Sequence, residues 1–268
     1  MNTANHLPFA LITGASSGIG AAFARRLAAD GYNLILVARR KQRLDALASE
    51  IRAKHAVLVE SFPADLAQPV DVERVVERIR ACEELDLLVN NAGFGQAGCF
   101  WEDEEQGQLD MVQVHVAATV RLTRAALPVM LAHQKGGIIN VSSVAAFVAR
   151  GSATLYHATK ASLIAFSRGL ALELRKTPVK VQALCPGFTV TEFHDSPEYK
   201  NFQRSSVPNF MWLTAEQIVN PSLAELRKGK NVVVVPGLLY QLLVFMTTSP
   251  LTQPLMRLLA VTLFKRER

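Results

Sequence analysis

Short apolar runs alternate with longer stretches of helical periodicity along most of the chain. The apolar runs lie at 9–14, 33–39, within 56–66, and at 85–93, 136–143, 179–187 and 231–237. They are rich in Val, Ile and Leu and do not alternate with polar residues, which is typical of parallel strands covered on both faces. The pattern therefore predicts about seven buried parallel strands.

The stretches between these runs have the spacing of amphipathic helices. They cover 20–31, 43–55, 71–85, 109–134 and 154–176, and Gly31 is placed to end the first of them. Regular alternation of strand and helix predicts an α/β fold, a Rossmann-like doubly wound parallel sheet of about seven strands with helices on both faces. No repeat or linker interrupts the pattern, so we expect a single domain over 1–268.

Composition limits the possible partners and the compartment. Half of the 268 residues are hydrophobic, and the net charge of +6 is spread over the chain without a nucleic-acid-binding motif, so no nucleic acid is expected as partner. Cys82, Cys99 and Cys185 lack metal-ligand spacing, so we expect thiols in a reducing compartment and no metal. The N-terminus lacks the pattern of a signal peptide, which favours a cytoplasmic location.

The segment 238–268 is an apolar C-terminal extension that ends in KRER. Pro250 and Pro254 and several polar residues interrupt it, whereas a membrane-spanning helix needs roughly 20 predominantly apolar residues. We expect packed secondary structure here, and peripheral contact with a membrane surface stays open as an alternative.

The segment TGASSGIG at 13–20 lies between the first strand and the first helix. Glycine permits a tight turn in which backbone amides and a helix N-terminus approach a pyrophosphate closely. In this setting the loop predicts a dinucleotide site, although a merely tight turn is the simpler alternative. The candidate cofactor-binding residues are Gly14, Ser16, Ser17, Gly18, Ile19 and Gly20.

The end of the second strand bears on the choice of cofactor. An acidic residue there would bind the ribose diol of NAD, but Arg39 occupies the position, 19 residues after Gly20. A guanidinium suits a 2′-phosphate, so we expect NADPH/NADP+ to be preferred over NAD. Arg40 and Lys41 are weaker candidates for this contact. Asp65 is placed either to accept a hydrogen bond from adenine or to cap a turn.

Tyr156 and Lys160 lie one helical turn apart in YHATK, residues 156–160. A phenol beside an ammonium is suited to proton transfer if its pKa is brought toward neutrality from about 10. The spacing alone is common by chance, and a surface pair is the alternative. The other motifs decide between them.

Five ordered motifs resemble the short-chain dehydrogenase/reductase family of the compact, single-domain type. They are TGASSGIG, NNAG (90–93), INVSS (139–143), YHATK and PGFTVT (186–191). The resemblance implies Tyr156 and Lys160 as catalytic residues, with Ser143 orienting a carbonyl. It also implies cofactor contacts from the loops that follow the strands, namely from Asp65, Leu66, Asn90, Asn91, Ala92, Gly93, Pro186, Gly187, Thr189 and Thr191, besides Tyr156 and Lys160.

His115 departs from the family pattern, which has an asparagine at this position of the long helix. The resemblance implies that the asparagine holds a water that links the lysine to solvent. Histidine can also hold a water, and its titration would add a pH dependence near roughly 6.5. A packed histidine without this role is the alternative.

Substrate recognition is expected in the segment 193–214, a substrate-loop insertion rich in aromatic residues. Such a loop indicates a mobile lid on an apolar substrate, or aromatic side chains that simply anchor the loop to the core. The candidate pocket residues are Phe94, Val148, Phe188, Phe193, Phe210 and Trp212. The resemblance also implies a homodimer or homotetramer formed through the helices near 108–134 and 154–176.

The leading hypothesis is an NADPH-dependent reductase of a ketone or aldehyde, or the reverse alcohol oxidation, with a small-molecule substrate. A non-catalytic NADP(H)-sensing protein on the same fold is the alternative from another class. A nucleotide-sugar epimerase or dehydratase is disfavoured, because those relatives have longer chains and a different glycine spacing.

Overall fold

The structure is a computed structural model that describes residues 7–95, 98–148, 153–195, 203–250 and 252. Its strands are β1 (Phe9–Thr13), β2 (Asn33–Ala38), β3 (Val59–Pro63), β4 (Leu85–Asn90), β5 (Gly137–Val141), β6 (Lys180–Leu184) and β7 (Val233–Val234). Its α-helices are α1 (Gly18–Ala29), α2 (Lys41–Lys54), α3 (Pro69–Arg80), α4 (Glu105–Val112), α5 (Thr119–Ala132), α6 (Thr154–Glu173), α7 (Ala215–Lys228) and α8 (Leu238–Thr248).

The seven strands form one parallel sheet in the order β3-β2-β1-β4-β5-β6-β7. The order reverses between β1 and β4, so the loops after these two strands open a crevice at the carboxyl edge of the sheet. The predicted doubly wound α/β fold is confirmed.

Alternate residues of the strands feed two separate cores. Ala10 and Ile12 of β1 pack with α1, α2 and α7 on one face, whereas Leu11 packs with α3, α5 and α6 on the other. Because both faces are covered, each strand needs apolar residues at successive positions, which explains the uninterrupted runs in the sequence.

The long helix between β4 and β5 contains a π-helical turn that the sequence pattern does not predict. Helix α4 leads into a π turn at Gln113–Ala118, which continues directly into α5. The whole helix, Glu105–Ala132, is the one described helix long and apolar enough to cross a membrane, but half of its most apolar window is buried. A core helix of a soluble protein passes the same test.

Several predicted boundaries are wrong by a few residues. Helix α3 ends at Arg80 rather than 85, because Cys82–Glu84 make the turn into β4. The seventh strand has two residues instead of seven, since Val233 and Val234 alone pair with β6. The C-terminal extension begins as helix α8, of which Tyr240 is buried, and residues 251 and 253–268 lie outside the described residues.

Candidate active site

The glycine-rich loop between β1 and α1 has a backbone that side chains would obstruct. Gly14 and Gly18 have φ of +65° and +55°, and a Cβ on Gly20 would lie 2.3 Å from the Gly14 carbonyl oxygen. Ser17 is the N-cap residue of α1, but its side chain makes no capping bond within the described chain. The first-turn amides of α1 are therefore available to an anion.

The segment after β4 braces this loop. The Asn91 Nδ2 donates to the carbonyl oxygens of Thr13 (2.9 Å) and Gly14 (3.3 Å). The Thr13 Oγ1 accepts from the backbone amides of Asn91 and Ala92, both at 2.9 Å. Asn91 and Ala92 thus fix the shape of the glycine-rich loop at 13–20, which together with the N-terminus of α1 forms the cradle for the expected pyrophosphate.

Asn90, also expected beside the adenosine, points away from the cradle. Its side chain is buried and donates to Thr123 Oγ1 at 3.2 Å and to Asn140 Oδ1 at 2.8 Å. Asn140 in turn donates to Ser167 at 2.9 Å. The expectation for Asn90 is wrong, because strand alternation turns successive side chains to opposite faces.

Two residues after β3 are less exposed to a ligand than expected. Asp65 Oδ1 accepts from the Ala67 amide at 3.1 Å, which is the turn-capping alternative. The Leu66 side chain is buried in the core. The Leu66 side chain therefore does not contact a ligand, and only the backbone of Leu66 could make the expected contact with the cofactor.

Arg40, rather than Arg39, contacts the glycine-rich loop. Its guanidinium donates to Ser16 Oγ at 3.1 Å and to Ser17 Oγ at 2.8 Å. Arg39 is exposed and makes no side-chain hydrogen bond or ion pair within the described part of the chain. Lys41 pairs with Asp45 on its own helix at 2.6 Å.

Tyr156, Lys160 and Ser143 come together at the carboxyl end of β5. Tyr156 and Lys160 lie one turn apart on α6, and the Ser143 hydroxyl lies close enough to the Tyr156 phenol to lower its pKa. The Lys160 Nζ donates to the Val141 carbonyl oxygen at 2.9 Å and lies 5.7 Å from the Tyr156 ring centroid. Ser142 faces the other way, and its hydroxyl donates to the Lys160 carbonyl oxygen at 2.6 Å.

Burial controls the proton affinity of this pair. Desolvation raises the pKa of Tyr156 to about 12, against a smaller lowering by the nearby Ser143 hydroxyl. Desolvation also lowers the pKa of Lys160 to about 8. The lysine was expected to lower the pKa of the tyrosine, but burial dominates in this structure and the pKa lies above its ordinary value. At neutral pH the phenol therefore keeps its proton, and most of the lysine is charged.

His115 is held by hydrogen bonds on both ring nitrogens. The Phe94 amide donates to Nε2 at 3.1 Å, so the proton of the neutral ring is on Nδ1, which lies 3.0 Å from Thr159 Oγ1. Thr159 itself donates to the Tyr156 carbonyl oxygen at 2.9 Å. His115 thus connects the loop after β4 to the helix that carries Tyr156.

The expected titration of His115 near 6.5 is wrong. The ring is 1% exposed, and desolvation, followed by the charge of Lys160, holds its pKa well below the ordinary value. The alternative interpretation, a histidine packed in the core, agrees better with the surroundings of His115.

The loop after β6 is shaped by a tyrosine that the sequence analysis did not select. A Cβ on Gly187 would lie 2.1–2.3 Å from ring atoms of Tyr240 on α8. The Tyr240 hydroxyl accepts from the Phe188 amide at 2.9 Å and donates to the Met211 carbonyl oxygen at 2.5 Å. Residue 187 is therefore a glycine because any side chain there would overlap the Tyr240 ring.

The remaining residues of PGFTVT divide between the core and the cradle. Pro186 and Thr189 are buried, and the Thr189 hydroxyl donates to the Gly187 carbonyl oxygen at 2.9 Å. Thr191 lies against the glycine-rich loop, since a Cβ on Gly18 would be 2.9 Å from its Cγ2. A Cβ on Gly93 would lie 3.3 Å from Lys160 Nζ, so Gly93 also borders the Tyr156–Lys160 pair.

The predicted pocket residues are dispersed. The Phe193 and Tyr156 ring centroids are 6.0 Å apart, Phe94 packs edge-on against His115, and Phe188 packs against Trp212. Phe210 and Val148 are 74% and 44% exposed. A small cleft beside Tyr156 is lined instead by Gly98, Phe100, Asp103, Gln108, Met111 and Ala153–Tyr156. Ala153 and the loop before α4 gave no motif by which sequence analysis selects them.

The comparisons with known proteins agree with this arrangement. A sequence model of the short chain dehydrogenase family matches residues 8–200. The 3-oxoacyl-[acyl-carrier-protein] reductase FabG of Staphylococcus aureus is 35% identical over 205 residues, which cover 74% of this chain and 82% of the reductase.

Two solved structures resemble nearly the whole chain. A short-chain dehydrogenase from Sphingobium yanoikuyae in complex with NADPH superposes with a TM-score of 0.81 at 33% identity, covering 98% of this chain and 96% of the other. The bulky-bulky ketone specific alcohol dehydrogenase from Comamonas testosteroni gives 0.78 at 33% identity, with the same coverage. The sheet order, the glycine cradle, the Ser143–Tyr156–Lys160 cluster and these matches lead to one conclusion: the chain belongs to the short-chain dehydrogenase family of oxidoreductases.

Proposed function

We propose that the protein is an NADPH-dependent oxidoreductase that converts a ketone or aldehyde to an alcohol, or catalyses the reverse reaction. The observation that carries this proposal is the Tyr156 phenol, which keeps its proton at neutral pH, lies beside the Ser143 hydroxyl and is one helical turn from the buried Lys160. A carbonyl group needs a proton donor and an orienting hydroxyl at its oxygen. In the proposed mechanism Tyr156 is this donor and Ser143 is the orienting hydroxyl.

The residues present fit a nicotinamide dinucleotide. Glycines 14, 18 and 20 leave room beside the N-terminus of α1 that a Cβ would fill or obstruct. Ser16, Ser17 and Arg40 contact one another at this cradle and offer hydroxyl and guanidinium donors, and the exposed Arg39 precedes Arg40 in the chain. This donor set favours a 2′-phosphate and hence NADP(H). Both NADPH in the Sphingobium relative and the lack of an acidic residue after β2 support the preference.

The chain's own residues perform the acid chemistry. Tyr156 donates its proton to the carbonyl oxygen, and Ser143 donates a second hydrogen bond that stabilises the developing negative charge. Lys160, held by the Val141 carbonyl, keeps a positive charge behind the phenol and offers its remaining protons to the nicotinamide ribose. The nicotinamide, when bound, supplies the hydride for the carbonyl carbon.

The small cleft beside Tyr156 has both apolar and polar lining residues. Phe100, Met111 and Leu155 line it, with Asp103 and Gln108 as polar neighbours. The substrate class is suggested instead by the names of the relatives, a 3-oxoacyl reductase and a bulky-bulky ketone dehydrogenase. We therefore include bulky apolar ketones and acyl-chain ketones in the proposed substrate class.

Assembly and location are part of the proposal. Exposed apolar side chains on the helices near 108–134 and 154–176, such as Leu109, Val120 and Leu172, support a homodimer or homotetramer. Helix α8 exposes Leu238, Leu242 and Phe245, which supports peripheral membrane contact of a cytoplasmic protein.

The test is NADPH consumption over a panel of aromatic, steroid, acyl-chain and small polar carbonyl compounds. Tyr156→Phe removes the proton donor and is expected to lower turnover by at least 100-fold, on the order of the contribution of a general acid. Tyr32→Phe is the matched control, because its hydroxyl bonds Asp86 away from the site. Full turnover by Tyr156→Phe contradicts the mechanism. Cofactor binding without turnover on any compound favours the sensing alternative.

A further inference from the structure

Glu192 joins the substrate-loop segment to the arginines that follow β2. It directly follows Thr191 and begins a short 3-10 turn, Glu192–Asp195. Its carboxylate accepts from Arg40 Nη1 at 2.9 Å and from Arg43 Nη1 at 2.5 and 2.6 Å. The guanidiniums of Arg43 and Arg40 hold the pKa of Glu192 below its usual range. The carboxylate is therefore ionised at neutral pH.

Arg40 is shared between this carboxylate and the glycine-rich loop. One edge of its guanidinium donates to Ser16 and Ser17, while Nη1 donates to Glu192. Two cations and two hydroxyls thus converge on the adenosine end of the cradle. Among the described contacts, Glu192 supplies the carboxylate that binds these two arginines.

We infer that Glu192 holds the arginine pair and competes with the 2′-phosphate of NADP(H) for it, so that Glu192 sets the cofactor selectivity. The inference deepens the proposed function and rests on it. A phosphate with a charge of about −1.5 to −2 and a carboxylate both need the outward face of Arg40, and they repel each other there. The 2′-phosphate therefore binds at the expense of the Glu192 contacts, whereas a ribose hydroxyl leaves those contacts in place.

The displacement also acts on the active site. Phe193 follows Glu192, its amide donates to Thr191 Oγ1 at 3.3 Å, and its ring lies 6.0 Å from that of Tyr156. Release of Glu192 therefore loosens the start of the segment that packs against the catalytic tyrosine. The adenosine end of the cofactor and the substrate side are thus coupled through one carboxylate.

Binding of nucleotide fragments tests the inference without turnover. Calorimetry compares adenosine 2′,5′-bisphosphate with 5′-AMP on the wild-type protein, on Glu192→Gln and on Glu50→Gln. Glu50 is the matched control, since its carboxylate also accepts from two cations, Arg25 and Lys54, elsewhere on the surface. Both variants change the net charge equally.

Glu192→Gln is expected to bind the bisphosphate about three- to tenfold more tightly than the wild type, because two partly exposed ion pairs no longer compete. Its affinity for 5′-AMP and both affinities of Glu50→Gln are expected to stay unchanged. The inference is overturned if Glu192→Gln binds the bisphosphate no more tightly than the wild type, or if its affinity for both fragments rises equally. In either case a wild type that binds the bisphosphate more tightly than 5′-AMP still supports NADP(H) as the cofactor. A wild type that binds both fragments equally overturns the NADPH proposal itself.

Discussion

Replacement of His115 by glutamine is expected to flatten the dependence of folding stability on pH below neutrality. Glutamine can accept from the Phe94 amide and donate toward Thr159, but it does not titrate. In the folded wild type the ring stays neutral, because burial and Lys160 hold its pKa well below 6.5. In the unfolded chain the ring binds a proton as the pH falls through about 6.5.

The sign follows from proton linkage. The unfolded state binds more protons than the folded state in this range, so acidification favours unfolding and the stability from this group is lost as pH falls. For a ring that stays neutral when folded, the loss between about pH 7.5 and 5.5 is about 1.4 kcal/mol. Lys160, with a pKa of about 8 in the folded state, contributes its own dependence mainly above this interval.

The assay is urea unfolding at a series of pH values on the wild type and on His115→Gln. Any uniform cost of the substitution cancels, because the comparison uses the change of unfolding free energy with pH. His133→Gln, at an exposed position, is the matched control. If His115→Gln retains the wild-type pH dependence, the ring already binds a proton in the folded state, and the bonding pattern described here is refuted.

Two further predictions concern the other sides of the site. Gly187→Ala is expected to destabilise the fold by about 1–3 kcal/mol in urea unfolding, because the new Cβ overlaps the Tyr240 ring. Gly169→Ala is the control and is expected not to destabilise the fold, since a Cβ there has nothing within 4 Å. Equal stability of the two variants would contradict the packing of Tyr240 on Gly187. The kcat/KM for NADPH is expected to fall as pH rises through about 8, since Lys160 then loses its charge while Tyr156, with a pKa of about 12, keeps its proton. Lys160→Arg is expected to remove that decline, and a variant that still declines near 8 would assign the titration to another group.

The sheet and the glycine-rich loop were predictable because each depends on local constraints. Strands covered on both faces need consecutive apolar residues, and the loop from Gly14 to Gly20 needs positive φ and close backbone approaches. These constraints leave a pattern in a single sequence. Tyr156, Lys160 and Ser143 were identified differently, through the resemblance of five ordered motifs to a known family, since helical spacing alone left a surface pair as the alternative.

Contacts between distant segments left no such pattern. Arg40 takes its position from Glu192, which lies 152 residues further along the chain, so the sequence around β2 could not distinguish Arg40 from Arg39. Tyr240 contacts Phe188 from α8, in a segment whose apolar composition predicted only packing. Asn90 and Asn91 differ by one position, and the exact end of β4 decides which faces the cradle.

The π turn was hidden for a different reason. An α-helix and a π turn bury the same kinds of side chain, and a single extra residue in one turn leaves no motif by which the turn can be recognised. The sequence from 109 to 134 therefore predicts a regular helix, and the structure alone shows where the ladder widens.

That widened turn makes the helix between β4 and β5 sensitive to its residue count. An α-helix rotates by about 100° and advances about 1.5 Å per residue. Loss of one residue from 113–118 would restore regular winding, and Met111 beside the cleft would then rotate by that angle relative to α5. Substitutions in this turn alter individual contacts, but deletion of one residue would change which side chains of the helix face the cleft. Homologous chains that differ here by one residue are thus expected to present a different helix face to their substrates.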